Sequence, residues 1–310
     1  MDSGADSAHS NPLIRNQILD ASGSTGVEQR IECWERGASD YPIELLDLSR
    51  PPDPLYAIGR TSALTKPRVA IVGTRNSTGY GERIARSLTR ILVRAGVSVV
   101  SGMARGIDAA AHRTALEEGG NTVAVLGTGI DVPYPVGHRQ LHRLIGEKGL
   151  VLSENPPGAR AHEGAFPKRN RIIAALARVT IVVEAGFKSG ALNTATQAVE
   201  LGRVVAAVPG PIDSPQSQGS NQLLRDGAVM IASVDDALAL LGLAAPEDRP
   251  APNLPENELR VWDALAGGYF EADTLSAKCG LSTPECFAAI TSLEIMGLVE
   301  CSVGGEIRRR

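Results

Sequence analysis

Seven short apolar runs punctuate the middle of this chain, at residues 69–72, 97–100, 122–126, 150–153, 179–183, 204–208 and 227–231. They are rich in Val, Ile and Leu and lack strict alternation with polar residues, the pattern of parallel strands covered on both faces. Between them the spacing turns helical: Ile84, Leu88, Ile91 and Leu92 share one face, as do Leu141, Leu144 and Ile145 further on. Strand and helix alternate about six times, which predicts a doubly wound (Rossmann-like), mostly parallel α/β sheet. Right-handed crossovers place the strand-to-helix turns at the carboxyl edge of that sheet.

The pattern fades at both ends. Residues 1–40 are read as a flexible N-terminal arm, because the first 30 or so are rich in Ser, Gly, Asn and Asp. Prolines 42, 51, 52 and 54 then predict extended, turn-bounded structure leading onto the sheet edge. The sheet domain spans 41–242, and residues 243–255 form a Pro-rich linker. Residues 256–310 predict three helices and a hairpin, a small winged-helix-like domain, with Leu275, Phe287, Ile290, Leu293 and Leu298 as its core. Its third helix contains Glu285 and Glu294 but no Lys or Arg, whereas major-groove readers present basic or amide side chains there. The unit is therefore read as a protein-contact or dimer-supporting module rather than a duplex reader, with Arg308–Arg310 as its only basic cluster.

Charge narrows the function classes. Lys and Arg total 31 against 35 Asp and Glu, a net charge of −4, so nucleic acid binding has to rest on a local patch. Cys33, Cys279, Cys286 and Cys301 show no CxxC and no metal spacing, and are read as reduced thiols. No apolar run approaches the ~18 residues of a membrane span, and no signal-peptide core opens the chain. The expectation is a soluble, cytoplasmic protein with no membrane partner, no metal and no cofactor.

Four turns are expected to meet at the carboxyl edge. They carry Gly73, Thr74 and Arg75; Ser101, Gly102, Arg105 and Gly106; Phe166, Lys168, Arg169, Asn170 and Arg171; and Lys188, Ser189 and Gly190. Glycines let backbone N–H groups approach phosphate, Arg offers bidentate contact, and an aromatic ring stacks on bases. Alternatives stand beside these readings. Arg171 is either a DNA contact or an ion-pair partner of Glu154 or Glu184. Asp108 and His112, four apart on a helix, form either a turn brace or a metal pair with no third ligand evident. Glu184 ends a strand where catalytic carboxylates often sit, but a structural role is preferred because no partner base or nucleophile accompanies it. The first turn lacks a third glycine, so a dinucleotide site is weakly supported, and no P-loop or nucleophile elbow is present.

In their order along the chain, several of these segments resemble one family. They are Val72-Gly73-Thr74-Arg75, Ser101-Gly102-Met103-Ala104-Arg105-Gly106-Ile107-Asp108 with His112, Tyr134-Pro135, Ser153-Glu154, Phe166-Pro167-Lys168-Arg169-Asn170-Arg171, Glu184 with Ser189-Gly190-Ala191-Leu192, Thr194-Ala195, and Val208-Pro209-Gly210. Each is weak alone; together they are highly specific, and over about residues 42–241 the chain resembles the DNA processing protein A (Smf) family. The resemblance implies a cytoplasmic bacterial protein, usually a homodimer, that binds single-stranded DNA and loads RecA recombinase onto DNA taken up in natural transformation. It implies that the first glycine turn and the Phe166–Arg171 segment line the DNA pocket. Two departures stand out. The helical domain that begins many members is expected to be absent or vestigial here, and Asn193 stands where an aliphatic residue is usual.

Two functions follow, from different classes. The first is a non-enzymatic single-strand binder and recombinase mediator. The second is a nucleotide-binding or nucleotide-processing enzyme, of phosphoribohydrolase type, with Glu184 as its acid.

Overall fold

In a computed structural model of the chain, residues 30–162, 164–244, 254–265, 270–302 and 305–309 are described. The β-branched run Arg68–Val72 forms strand β3, and its side chains are buried on both faces. Val69 and Ile71 pack with helix α1 (Gly79–Arg94), α2 (Ile107–Glu117) and α7 (Val234–Ala239). Ala70 and Val72 pack with α4 (Ala165–Leu176) and α5 (Gly190–Glu200) on the other face. Period-two alternation thus feeds two helical layers, and burying the larger of these aliphatic side chains contributes about 1.5–3 kcal/mol each.

The remaining strands are β1 (Glu32–Trp34), β2 (Leu55–Gly59), β4 (Ser98–Ser101), β5 (Thr122–Gly129), β6 (Leu150–Asn155), β7 (Val179–Val182), β8 (Val204–Ala207) and β9 (Val229–Met230). They form a nine-stranded sheet ordered β1-β2-β6-β5-β4-β3-β7-β8-β9. From β3 to β9 all pairings are parallel, while β2 runs antiparallel to both β6 and β1. The chain winds outward from β3 to β6, then returns to β7 beside β3. The topological switch point therefore lies between β3 and β7, where doubly wound sheets open their binding crevice.

Strand β1 corrects one expectation. Residues 31–40 fall in the span expected to be a flexible arm, yet Glu32–Trp34 pairs with β2, and Ile31 and Trp34 are buried. Residues 1–29 lie outside the described residues. Among the described residues no helix is long and apolar enough to cross a membrane.

The chain divides into two compact units, Met1–Pro246 and Glu247–Arg310. In the second, α8 (Glu256–Ala264), α9 (Ala272–Cys279) and α10 (Thr283–Ile295) pack with a three-stranded sheet of β10 (Phe270–Glu271), β12 (Glu306–Arg309) and β11 (Val299–Cys301). A Ser282/Glu285 capping box starts α10. Its core face is Cys286, Ala289, Ile290 and Leu293, so Phe287, one position out of phase, is 50% exposed rather than core. Leu275 is buried as expected, and Leu298 packs against the core partly buried. Arg309 lies over the Trp262 ring at 4.3 Å and donates to the Trp262 carbonyl, while Arg310 and the side chain of Arg308 lie outside the described residues.

Candidate nucleic-acid interface

Strand β3 ends at Gly73-Thr74-Arg75, and Thr78 caps α1 by accepting from the Gly81 N–H at 3.1 Å. Glu184, just past β7, closes the switch point. Its carbonyl accepts from the Thr74 N–H at 2.7 Å. One carboxylate oxygen accepts from the Thr78 N–H at 2.9 Å and the other from the Thr78 hydroxyl at 2.7 Å. At 2% exposure and with both oxygens engaged, Glu184 clamps two turns together. This is the structural role preferred from the sequence, and both carboxylate oxygens of the acid named for the phosphoribohydrolase reading are taken up by Thr78.

The β4–α2 turn folds onto the first. Gly106 has φ +73°, and a Cβ there would run into the Thr74 carbonyl, so the backbone requires glycine. The Ile107 N–H reaches the Thr74 carbonyl at 3.4 Å, and the Ser101 hydroxyl donates inward to the Ile71 carbonyl at 2.6 Å. Asp108 braces the turn, accepting from the N–H groups of Gly102 at 3.0 Å and Ala104 at 3.4 Å.

Beneath this turn lies Arg169. Its guanidinium donates to the Gly102 carbonyl at 2.8 Å and to the Val125 carbonyl, and its side chain is 3% exposed. Burial pushes the Asp108 carboxyl up, with the Arg169 charge and the two backbone N–H groups drawing it back only in part. Burial likewise lowers Arg169 to about 10, against the opposing pull of Asp108, so the guanidinium stays charged at neutral pH. His112, fully buried, is pushed down to about 3 by burial and by the nearby charge of Arg169. Its Nδ1 lies 2.7 Å from the Thr122 hydroxyl, which itself donates to the Val99 carbonyl at 3.0 Å. The hydroxyl thus accepts from the Nδ1 proton, and the ring is the neutral Nδ1–H tautomer. Among the described residues no group of three His, Cys, Asp or Glu is placed to hold a metal.

Asn170 is also inside. Its amide donates to the Gly190 carbonyl and to Asn193 Oδ1, both at 3.2 Å. Asn193 therefore satisfies a buried amide. Ser101, Gly102, Arg169 and Asn170, expected from the sequence as DNA contacts, are buried and form the floor of the site.

The exposed rim is smaller. Arg75, Arg105, Lys168, Lys188 and Gly190 face solvent. Arg75 lies over the Phe166 ring at 5.1 Å. Ser189 caps α5 by accepting from the Ala191 N–H at 3.3 Å. Lys168 and Arg171 converge on the nearly buried carboxylate of Glu154, at 3.1 and 2.6 Å. Arg171 also donates to the Arg50 carbonyl at 2.9 Å, so it is the ion-pair partner weighed as its alternative role. Among the described residues, Arg75, Arg105 and Lys188 have no carboxylate in ion-pair range. Sequence reasoning missed the stacking of Tyr134 on Phe166, since the two rings lie far apart in sequence and no local pattern brings them together.

Residues 32–242 match the family model described as DNA recombination-mediator protein A, and residues 245–305 that of the winged helix domain of the same family. The chain belongs to this family. It is 45% identical over 260 residues to a putative DNA processing protein of Mycobacterium tuberculosis, covering 81% of this chain and 67% of the relative. It is 43% identical over 203 residues to the DNA processing protein of Streptococcus pneumoniae, covering 64% of this chain and 70% of the relative. The solved structure of DNA processing protein A from S. pneumoniae superposes with a TM-score of 0.65 and 41% identity, covering 67% of this chain and 74% of that one. The Helicobacter pylori protein, whose structure concerns its single-stranded DNA binding mode, superposes at 0.63 with 32% identity, covering 68% of this chain and 96% of that one. The α/β sheet fold and the C-terminal winged helix domain are thus shared with this family.

Proposed function

We propose that this protein binds single-stranded DNA along the carboxyl edge of its parallel sheet, without turning it over, and acts as a cytoplasmic homodimer that protects incoming strands and loads RecA recombinase during natural transformation or homologous recombination. The observation that carries the reading is the rim. Three cations without carboxylate partners among the described residues, Arg75, Arg105 and Lys188, stand around glycine turns at the switch point, in a chain whose net charge is −4. Local positive charge in an acidic protein marks a place for an anion, and the turns let backbone approach it closely. Membership of a family that includes a single-strand binder from H. pylori supports the choice of strand. The winged-helix unit is read as a protein-contact or dimer-supporting module, since the outward face of α10 presents Phe287, Thr291 and Ile295 and no cation.

Anisotropy titration of a labelled dT oligonucleotide tests the reading, at two salt concentrations and with duplex competitor. Binding is expected to be sequence-tolerant, with a logarithmic salt slope of about −0.7 per phosphate neutralised. The Arg75→Ala/Lys168→Ala double variant is expected to weaken it about thirtyfold. Equal binding by variant and parent removes the rim from the site. Mediator activity is measured separately, as faster RecA filament assembly on single strands.

A further inference from the structure

Resting on that reading, we infer that Tyr134 is the outer base-stacking platform of the site and the source of its preference for single strands. Phe166 is the obvious aromatic, but its surroundings are filled. The Arg75 guanidinium lies 5.1 Å from its centroid, and the Tyr134 ring stands against it at 5.0 Å with a 34° tilt. On a third side the ring abuts the end of β5, where a Cβ on Gly127 would come within 2.9 Å of Phe166 Cδ1. Phe166 is accordingly half-buried and held in place. Tyr134 is the outermost ring of this stack, 40% exposed, in the loop that follows β5. A ring backed by a fixed ring is already ordered, so little further freedom is lost when a base settles on it.

The chemistry separates two tasks. Cations such as Arg75 and Arg105 attract phosphate and meet the same groups on a duplex as on a single strand. An exposed aromatic ring needs a base whose face is free, which a stacked duplex does not offer. Tyr134 therefore supplies what the cations do not: discrimination by base exposure, tolerant of sequence because every base has a face.

The test uses the full chain and two strands of equal length, oligo-dT and an abasic strand of tetrahydrofuran units, with parent, Tyr134→Ala and Tyr134→Phe. The parent is expected to bind dT more tightly than the abasic strand. Tyr134→Ala is expected to lose dT affinity about 5- to 150-fold, the equivalent of one base stack. It should keep its abasic affinity within about twofold, since no phosphate contact is removed. Tyr134→Phe, which keeps the ring, should behave as the parent. Unchanged dT affinity in Tyr134→Ala, or an equal loss on both strands, overturns the platform and leaves Tyr134 as a cover for Phe166. If the parent binds both strands alike, the platform fails while the binding site stands. If it binds neither, the single-strand reading itself fails.

Discussion

Lys168 and Arg169 are neighbours in one helical turn, yet the ammonium of the first stands in solvent beside Glu154 while the guanidinium of the second lies against the carbonyls of Gly102 and Val125. The same division runs through the other turns. Arg105 faces out and Asp108, three residues on, faces in. A helix turns about 100° per residue, so a short charged run at its start is split between a solvent rim and a packed floor. The rim is available to a ligand. The floor, Ser101, Gly102, Arg169 and Asn170 with the buried Asp108 and His112, holds the turns in the shape the rim needs.

The largest expected effect breaks the floor. Arg169→Met should leave Asp108 buried without its opposite charge, and the carbonyls of Gly102 and Val125 without their donor. Leaving two buried carbonyls unsatisfied costs about 1–3 kcal/mol each, and the lost attraction to Asp108 adds to it. Urea denaturation followed by circular dichroism measures it. Arg75→Ala, on the rim, should stay within about 0.5 kcal/mol of the parent in the same experiment. Equal stabilities for the two variants would erase the distinction between rim and floor.

How far that distinction can be read from sequence differs from residue to residue. The β-branched runs, the glycine turns and their motif order give the sheet and its carboxyl edge, because period and turn chemistry are local properties. The alternatives weighed for Glu184, Asp108 and Arg171 include the contacts they make. What one sequence does not reveal is which cation of Lys168, Arg169 and Arg171 turns inward, since that depends on where β4 and β5 end beneath α4. The extent of strand β1 is likewise not legible: extended structure leading onto the sheet edge is expected, but three residues are too few for a period to mark which of them pair with β2. Phe287 escapes for the opposite reason: an apolar residue invites assignment to the core, and one step of phase on α10 puts it outside.

A smaller effect tests the floor through pH. His112 has a folded pKa of about 3, below its ordinary 6.5, so on acidification the unfolded chain takes up the proton first. Its contribution is whole above about pH 6.5 and shrinks by about 1.4 kcal/mol per pH unit below that, until the folded pKa is reached. Asp108 works in the other sense. Its carboxyl is raised, so the folded state holds that proton more tightly, and acid favours folding through this group. The comparison is therefore parent against His112→Gln, which keeps Asp108 and offers an amide to Thr122. The stability difference between them should fall by about 2 kcal/mol from pH 7 to pH 5. A difference independent of pH would mean that the imidazole is protonated with the fold intact.

The smallest effect separates members of the rim. Lys168 and Arg171 share Glu154, so the three carry +2 − 1 = +1 together, and Lys168→Ala takes that local charge to zero. Arg75 gives up a cation with no carboxylate partner among the described residues, together with its contact on Phe166. Arg75→Ala should therefore weaken dT binding about tenfold and reduce the magnitude of the salt slope by about 0.7, one phosphate's share. Lys168→Ala should cost about threefold or less, because Glu154 already offsets the Lys168 charge toward phosphate and the remaining Glu154–Arg171 pair is nearly neutral. Glu154→Gln supplies the converse: it frees Lys168 and should tighten binding by a similar factor at low salt. If Lys168→Ala proves costlier than Arg75→Ala, the ammonium leaves Glu154 for the strand in the complex, and the rim is wider when bound than it stands in the free protein.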